Sequence, residues 1–413
     1  MPFPAGLRAF DHRDFRLFWT GQLVSLVGTW MQTVGQAWLV LELTNSPFKL
    51  GLIGTLQFGP MLLLSLVAGA FADRLPKRRV ILGTQTVLML QAFALAGLVW
   101  TAHVRYWHVA LLAILYGLAN TLDMPTRQSF FVDMVGRDDL MNAIALNSAM
   151  FNGARIVGPA VAGLLVARYG VASAFFLNGV SFLAVIMALL AIRTEGLARA
   201  PAGTTVFEQI VEGLRFAAST PLIALVLGLL LSVSLFVVNY NVLVPLLARE
   251  VLHEGAHGFG FLMAALGAGA VAGALTLTLA GQGVPALRVL VIPAVVVSVA
   301  TLALAGVRRF SLAALLLAVV GFSQILFMAS CNTALQLMVP DQLRGRMMSL
   351  YAFVFAGVTP IGSFLVGSVA QTLGVPAAFA VGGGSGLLAV LMLLGWWKRR
   401  YPVSSWKPGG ALP

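Results

Sequence analysis

The stretch GAFADRLPKRRVIL, Gly69 to Leu82, is strongly polar in a chain whose neighbouring segments are long and apolar. Five charged side chains and one proline stand within the seven positions from Asp73 to Arg79. A helix that crosses the hydrocarbon core of a bilayer needs about 20 predominantly apolar residues, and a proline among charges ends such a helix. The stretch is therefore predicted to be a short connector between two membrane-spanning helices.

The composition of the whole chain agrees with that interpretation. Of its 413 residues, 59% are hydrophobic and 10% are charged, against about 45–50% and about 25% in soluble domains. Apolar runs of spanning length recur along almost the whole sequence and alternate with short polar connectors. A soluble globular domain is excluded, and an all-α polytopic membrane protein in a lipid bilayer is expected.

The formal net charge of +12 does not indicate a nucleic-acid partner, because Lys and Arg stand singly or in short clusters between apolar runs. The single cysteine, Cys331, excludes an intrachain disulfide. The first apolar run follows a basic N-terminal segment and continues to about Leu43 without a small-residue cleavage site. We therefore expect a retained first span rather than a signal peptide.

Twelve transmembrane helices are predicted from the apolar runs, in two sets of six. The first set lies near 16–42, 47–71, 79–102, 106–125, 142–167 and 171–192, and the second near 221–247, 258–280, 286–306, 311–338, 346–371 and 375–397. The predicted domains are an N-terminal six-helix bundle (1–193), a cytoplasmic linker with a short amphipathic helix (194–220), a C-terminal six-helix bundle (221–400) and a cytoplasmic tail (401–413). Most Lys and Arg fall in the connectors that share one side with both termini, and this side is predicted to be cytoplasmic.

An internal repeat predicts the architecture. Residues 204 positions apart match without gaps: Gly117 with Gly321, Val135 with Val339, Gly158 with Gly362, Gly163 with Gly367, Gly170 with Gly374, and Phe175 with Phe379. A shift close to half the chain length indicates a duplicated six-helix unit. Two pseudo-symmetric six-helix bundles around a central cavity are the arrangement that transporters use for alternating access.

The opening stretch resembles the signature loop of the major facilitator superfamily, G-x-x-x-D-R-x-G-R-R. The matching residues are Gly69, Asp73, Arg74, Lys77 and Arg78, with Pro76 in place of the second glycine. The resemblance implies a loop that gates the cytoplasmic side, with Asp73 facing the start of the eleventh helix. Asp123 and Arg127, near the inner end of the fourth helix, are expected to complete its charge cluster. The alternative role of these charges is a topology anchor.

The stretch NGARIVGPAVAG, Asn152 to Gly163, resembles a fifth-helix motif of the proton-antiporting, exporting branches of the same superfamily. Gly158, Pro159 and Gly163 are in register, whereas Ala154 and Ala162 replace two glycines. Its alternative role is ordinary small-residue packing. DFRLFWTGQLVSLVGTWM and NAIALNSAMFNGARIVGPA are similar to the enterobactin-exporter-like and multidrug-efflux branch. That resemblance implies a bacterial plasma-membrane exporter of a siderophore-like or drug-like molecule, with protons as coupling partner.

Several polar residues of the predicted helices are candidates for substrate binding or coupling. Arg155 is the deepest ionisable residue, and it is either a structural partner of carbonyls or Glu42, or the holder of an anionic or catechol-like substrate. The resemblance places a coupling arginine four residues before Gly117, where this chain has Ala113, so Glu42, Asp123 and Arg155 remain the coupling candidates. The polar cavity candidates are Gln32, Gln36, Asn239, Tyr240, Asn241 and Gln324.

Two motifs of other protein classes are rejected. HEGAH, His253 to His257, matches the zinc-protease pattern, but its central glycine lies in a short connector where a helix is not expected. GAGAVA, Gly267 to Ala272, fits a dinucleotide pattern but lies inside an apolar helix without a preceding strand. No catalytic residue, metal or cofactor is predicted. Uptake or facilitative transport, a membrane zinc metalloprotease and a polytopic sensor remain the alternatives to export.

Overall fold

The computed structural model describes residues 5–72, 75–196, 214–279, 287–339 and 341–400. These parts of the chain are helical apart from short turns, as the composition predicts. Asp73, Arg74, most of the predicted linker and the predicted tail lie outside the described residues.

The described residues form fourteen α-helices. They are α1 (Arg13–Thr44), α2 (Pro47–Ala72), α3 (Lys77–Trp100), α4 (Tyr106–Val135), α5 (Leu140–Tyr169), α6 (Val171–Ala191), α7 (Pro221–Ser232), α8 (Tyr240–Leu246), α9 (Ala256–Leu279), α10 (Leu287–Ala303), α11 (Phe310–Met338), α12 (Asp341–Gly357), α13 (Thr359–Leu373) and α14 (Val375–Arg400). A 3-10 helix precedes α1 at Ala5–Asp11.

Twelve segments have the length of a membrane span. Eleven of them, among the described residues, are also apolar enough by composition. The twelfth is α1, whose 32 residues would reach about 48 Å, although the polar side chains of Gln22, Gln32 and Gln36 lower its hydropathy. The predicted twelve-helix membrane protein is therefore confirmed.

Two predicted spans are not continuous α-helices. The span Pro221–Val251 consists of α7 and α8 with π-helical turns at Val233–Val237 and Leu247–Val251. Val238 and Asn239 between them leave the helical region, with ψ angles of 52° and 35°. The predicted helix 346–371 is likewise divided at Val358, directly before Thr359 and Pro360. A proline lacks the amide donor and its ring crowds the preceding turn, so the backbone changes its pairing nearby.

The fourth helix is longer than predicted. The sequence places its end near Pro125, but α4 continues through this proline to Val135. A proline inside a transmembrane helix is tolerated when neighbouring helices satisfy the backbone groups that it frees.

The helix boundaries repeat with the shift of the sequence. Tyr106 and Phe310 begin α4 and α11, and they are 204 positions apart (310 − 106). Val171 and Val375 begin α6 and α14 with the same separation. The residues before them, Gly170 and Gly374, have positive φ angles of 79° and 85°, which glycine adopts without strain. The two pseudo-symmetric six-helix halves predicted from the repeat are present.

Glycines bring helices of one half into close contact. Gly21, Gly28 and Gly35 are spaced by seven residues on α1 and all face α6. A Cβ atom at Gly21 would lie 2.8 Å from the carbonyl oxygen of Ala184, and one at Gly35 would lie 3.2 Å from Cβ of Ala174. Small residues at the interface let membrane helices approach closely enough for dispersion and polar contacts to hold them together.

Two glycine pairs connect the halves. Gly51 of α2 meets Gly367 of α13, where an added Cβ would be 2.9 Å from the opposite Cα. Gly163 of α5 meets Gly260 of α9, where a Cβ on Gly260 would be 2.6 Å from the Cα of Gly163. We call the membrane side on which α1 begins and α14 ends the terminal face and the opposite side the distal face. Both crossings lie toward the distal face, near the first residue of α2 and of α9, so the halves are in close contact there.

Candidate functional site

Arg155 lies at the middle of α5 and contacts both halves of the molecule. Its Nη2 is 3.4 Å from Oε1 of Gln324 on α11, and its Cζ lies over the ring of Trp30 on α1, 5.8 Å from the ring centroid. Its Nε is buried, and no protein group accepts a hydrogen bond from it. A guanidinium in this position offers a planar cation with free donor capacity between the two halves.

Glu42 is not the partner of Arg155. Its exposed side chain accepts a hydrogen bond of 2.8 Å from Nε1 of Trp38, one turn earlier on α1. Of the two structural roles considered for Arg155, pairing with Glu42 is therefore absent in this conformation. The side chain that accepts a hydrogen bond from Arg155 is Gln324, which the sequence indicates as a cavity residue.

The three polar residues Asn239, Tyr240 and Asn241 do not form one cluster. Tyr240 is buried, its hydroxyl is 3.3 Å from Oγ1 of Thr301, and it is close enough to Arg155 for an electrostatic interaction. Asn239 is buried and donates to the carbonyl oxygen of Leu235, whereas its Oδ1 accepts no hydrogen bond. Asn241 is exposed. Only Tyr240 of the three belongs to the surroundings of Arg155.

Gln32 and Gln36 join helices of the N-terminal half. Gln32 donates to Gln91 of α3 at 2.9 Å and accepts a hydrogen bond of 2.7 Å from Asn178 of α6. Gln36 donates to Gln57 of α2 at 2.8 Å. The sequence interpretation does not include their partners Gln91, Asn178 and Gln57. The signal that indicates them is an isolated amide side chain on an apolar helix.

The loop residues Lys77 and Arg78 contact their own half. Lys77 is almost completely buried, with its Nζ 2.5 Å from Oδ2 of Asp133 on α4. Arg78 donates to the carbonyl oxygens of Leu189 and Leu190 at the end of α6. These contacts fix the start of α3 against α4 and α6. Gly69 belongs to the last turn of α2, and because Asp73 and Arg74 lie outside the described residues, gating by this loop stays a prediction.

Asp123 and Arg127 form an ion pair one helical turn apart on α4, in which Asp123 is buried and Arg127 is partly exposed. The carboxylate of Asp123 has no solvent exposure and also accepts hydrogen bonds from Oγ1 of Thr84 at 2.6 Å and Nε2 of Gln85 at 2.9 Å. The sequence interpretation assigns this pair to the charge cluster of the loop, and because Asp73 and Arg74 lie outside the described residues, that assignment stays a prediction. In the structure the carboxylate bound to a loop residue is Asp133, whose role the sequence interpretation missed.

The fifth-helix motif lies where α5 contacts both α1 and the other half. Gly158 faces the backbone of α1, where a Cβ would be 2.8 Å from the carbonyl oxygen of Val27. The carbonyl of Pro159 and the Cα of Gly163 face Gly260 of α9. The motif thus forms one of the two close crossings between the halves.

The local structure at HEGAH and GAGAVA differs from the structure that a zinc-protease motif or a dinucleotide-binding motif requires. His253 has a positive φ of 55° and precedes α9, so His253 and His257 do not share a helix face. Within the described ranges, no three His, Cys, Asp or Glu side chains are placed to hold a metal ion. Gly267 and Gly269 lie inside α9, against α5 and α11 respectively.

Comparison with known proteins identifies the family. The profile of a family described as transmembrane secretion effector matches residues 5–404. The chain belongs to this family, within the major facilitator superfamily. The protein is therefore a membrane transporter and not an enzyme. Its duplicated halves and the glycines at its helix crossings are features of that transporter fold.

Curated relatives cover nearly the whole chain. The multidrug efflux pump Tap of Mycolicibacterium fortuitum is 28% identical, over 86% of this chain and 89% of its own length. The enterobactin exporter EntS of Escherichia coli is 28% identical, over 93% and 91%. The staphyloferrin A transporter of Staphylococcus aureus is 24% identical, over 89% and 92%.

Solved structures show the same fold at low sequence identity. The nucleoside transporter NupG has a TM-score of 0.75 at 12% identity, with 93% of this chain and 99% of that chain covered. A bacterial homologue of the human lysosomal transporter Spinster, in an inward-facing and unoccupied conformation, has a TM-score of 0.69 at 14% identity and covers 96% and 98%.

Proposed function

We propose that this transporter exports a small organic molecule, siderophore-like or drug-like, in exchange for protons. The named relatives support this substrate range, because they include a multidrug pump and proteins that carry enterobactin or staphyloferrin A. The position of Arg155 favours substrates that carry a negative charge. Uptake or facilitative transport is the alternative that the experiment below distinguishes.

The direction of export follows from the proposed orientation. Basic residues are concentrated on the terminal face, which the positive-inside rule assigns to the cytoplasm of a bacterial plasma membrane. The close crossings of the halves lie toward the distal face. This conformation would therefore receive substrate from the cytoplasm, and the halves 1–193 and 221–400 would rock to open the distal face.

The proposal rests on the position and contacts of Arg155. It extends from the N-terminal half, contacts Gln324 of the C-terminal half, and keeps one donor without a protein acceptor. A buried cation is costly unless an anion or dipole compensates it. An anionic substrate would supply that compensation and would contact both halves at once, which is what coupling substrate binding to rocking requires.

Proton coupling requires a group that binds and releases protons, and the carboxylates of Asp123 and Glu42 are the two candidates. Asp123 is buried, with Arg127, Thr84 and Gln85 around it. Glu42 is exposed toward the distal face and can exchange protons with water. We assign proton exchange to these two residues jointly, since each lies nearer a different face of the membrane. Asp73 of the signature loop is assigned to the terminal gate.

The experiment uses everted membrane vesicles, in which the terminal face points outward, with a pH-sensitive dye inside. Catecholate siderophores and amphipathic drugs are added outside, and proton movement is recorded for the wild type and Arg155→Ala. Arg168→Ala is the matched control, because Arg168 lies near the distal end of the same helix and over the ring of Tyr169.

Proton movement driven by one compound, lost in Arg155→Ala and retained in Arg168→Ala, would support antiport through the site at Arg155. Entry of a compound only to its equilibrium concentration, without proton movement, would support facilitative transport instead. Equal losses in both arginine variants would show that helix α5 is merely destabilised, which contradicts the role of Arg155.

A further inference from the structure

A second arginine lies over a second tryptophan of α1. Cζ of Arg249 is 5.9 Å from the ring centroid of Trp38, and this geometry repeats that of Arg155 over Trp30 at 5.8 Å. The two tryptophans are eight residues apart, which places the second pair about 12 Å nearer the distal face along α1. The protein therefore has two guanidinium–indole pairs in succession on one helix.

Both arginines have a nitrogen with donor capacity to spare. Nε of Arg155 and Nη1 of Arg249 are buried, and no protein group accepts a hydrogen bond from either of them. Among the described residues, no carboxylate oxygen lies within 4 Å of Arg249. Buried donor atoms without an acceptor are expensive for the fold, and an anionic group is the ligand that would satisfy these two nitrogens.

The second pair is formed by residues of both halves. Arg249 follows α8 in the C-terminal half, whereas Trp38 belongs to α1 and stacks on Phe259 of α9, with ring centroids 6.2 Å apart and planes inclined by 20°. In the rocking motion proposed above, Arg249 and Phe259 would move with one half and Trp38 with the other. The faces of the indole and the guanidinium then become accessible to a flat molecule.

The surroundings of the two arginines differ in charge. Glu250 is the next residue to Arg249, and Glu42 accepts the hydrogen bond of Trp38. Arg155 has a neutral amide, Gln324, and a phenol, Tyr240, near it. An anion near Arg249 is repelled by these carboxylates and is held less strongly than at Arg155. The pair of Arg249 and Trp38 is therefore suited to release of the anion at the distal face.

We propose that Arg249 and Trp38 form a second binding site for aromatic anions, an exit site that follows the site at Arg155. Its ligand class is a planar ring bearing a carboxylate or catecholate, which pairs with the guanidinium and stacks on the indole. The inference rests on the proposed function, because it gives the exported anion its last contact before release. The competing role is a latch that holds the distal face closed without binding anything.

The two roles differ in the side of the membrane on which they act. An exit site binds anions that arrive from the distal side, whereas a latch changes transport whatever the position or charge of the ligand. The probe is 2,3-dihydroxybenzoate. Its transport is measured in everted vesicles, which present the terminal face, and its inhibition from the distal side is measured in right-side-out vesicles.

In Arg249→Gln we expect the inhibition constant on the distal side to rise about tenfold, while KM on the terminal side stays within about twofold. Arg249→Lys keeps the charge without the planar group and should give an intermediate value. The control is Arg309→Gln, which removes an exposed arginine of the distal face at the start of α11. This control should leave both constants unchanged.

An unchanged inhibition constant in Arg249→Gln would overturn the exit site while leaving the proposed function intact, provided that Arg155→Gln raises KM. Equal changes on both sides, with a lower yield of a disulfide between cysteines at positions 46 and 371, would show a latch only. If the wild type neither transports nor binds the probe or related aromatic anions, the anion class assigned to the central site fails, and the exit site fails with it.

Discussion

At the scale of single residues, the ion pair of Asp123 and Arg127 shows how strongly a buried charge depends on its partner. Asp123→Asn removes the negative charge and leaves the buried Nε of Arg127, which already has no protein acceptor, beside a neutral amide. We expect a loss of roughly 3 kcal/mol of stability, because a buried charge without its partner is poorly solvated. Thermal unfolding of the detergent-solubilised protein measures it.

The double variant Asp123→Asn with Arg127→Gln should recover part of that loss, since it removes both charges. Asp138→Asn is the control, because Asp138 is exposed near the same face. A single variant as stable as the wild type would show that the pair is not what holds α4 there.

A substitution of Gln32 tests whether this side chain has a structural role or binds substrate. It bonds to both Gln91 and Asn178, and Gln32→Leu leaves these two buried amides with fewer partners. We expect a loss of about 1 kcal/mol and an unchanged KM for any transported anion. Thermal unfolding and transport assays on the same preparation measure the stability loss and the KM. A raised KM at unchanged stability would place Gln32 in the binding site.

At the scale of helices, the glycine crossing of α2 and α13 sets how closely the distal face can close. In Gly51→Ala the added Cβ would lie 2.9 Å from the Cα of Gly367. Backbone atoms cannot rotate away, so we expect the halves to separate at this crossing and the population to shift toward a distally open state.

Labelling of a cysteine introduced in place of Ala370, which is buried one turn from Gly367 on α13, by a membrane-impermeant reagent measures that shift, and it should increase several-fold in Gly51→Ala. Gly59→Ala on the same helix is the matched control, because nothing lies within 4 Å of the Cβ that it adds. If both variants label like the wild type, the crossing does not limit closure.

The same helices show why some features could be predicted and others could not. Apolar length and the shift of 204 residues fix the spans and the duplication, because both depend only on local composition and its repetition. The break at Val238 and Asn239 follows the π-helical turn Val233–Val237, which packs against α10, α13 and α14, and local sequence does not encode that packing. The same is true of ion-pair partners: Asp73 is the acidic residue nearest to Lys77 in sequence, and only the tertiary arrangement brings Asp133 to its ammonium group.

At the scale of the whole molecule, the two halves are held together at the distal face by contacts that must break in each cycle. Oγ of Ser46, between α1 and α2, donates a hydrogen bond of 2.6 Å to Oε1 of Gln371 on α13. Thr55 of α2 donates to the carbonyl oxygen of Pro360 at 2.9 Å. Each bond is weak alone, which suits a contact that has to reopen.

A disulfide between cysteines introduced in place of Ser46 and Gln371 should therefore stop transport by preventing the distal face from opening. The background variant Cys331→Ala removes the native thiol. We expect oxidation to abolish transport of 2,3-dihydroxybenzoate and reduction to restore it, while binding from the terminal face persists because that side stays open. Each single-cysteine variant, treated in the same way, should keep transporting. Undiminished transport by the fully cross-linked protein would show that substrate passes without separation of the halves at this face, and the rocking motion proposed here would be wrong.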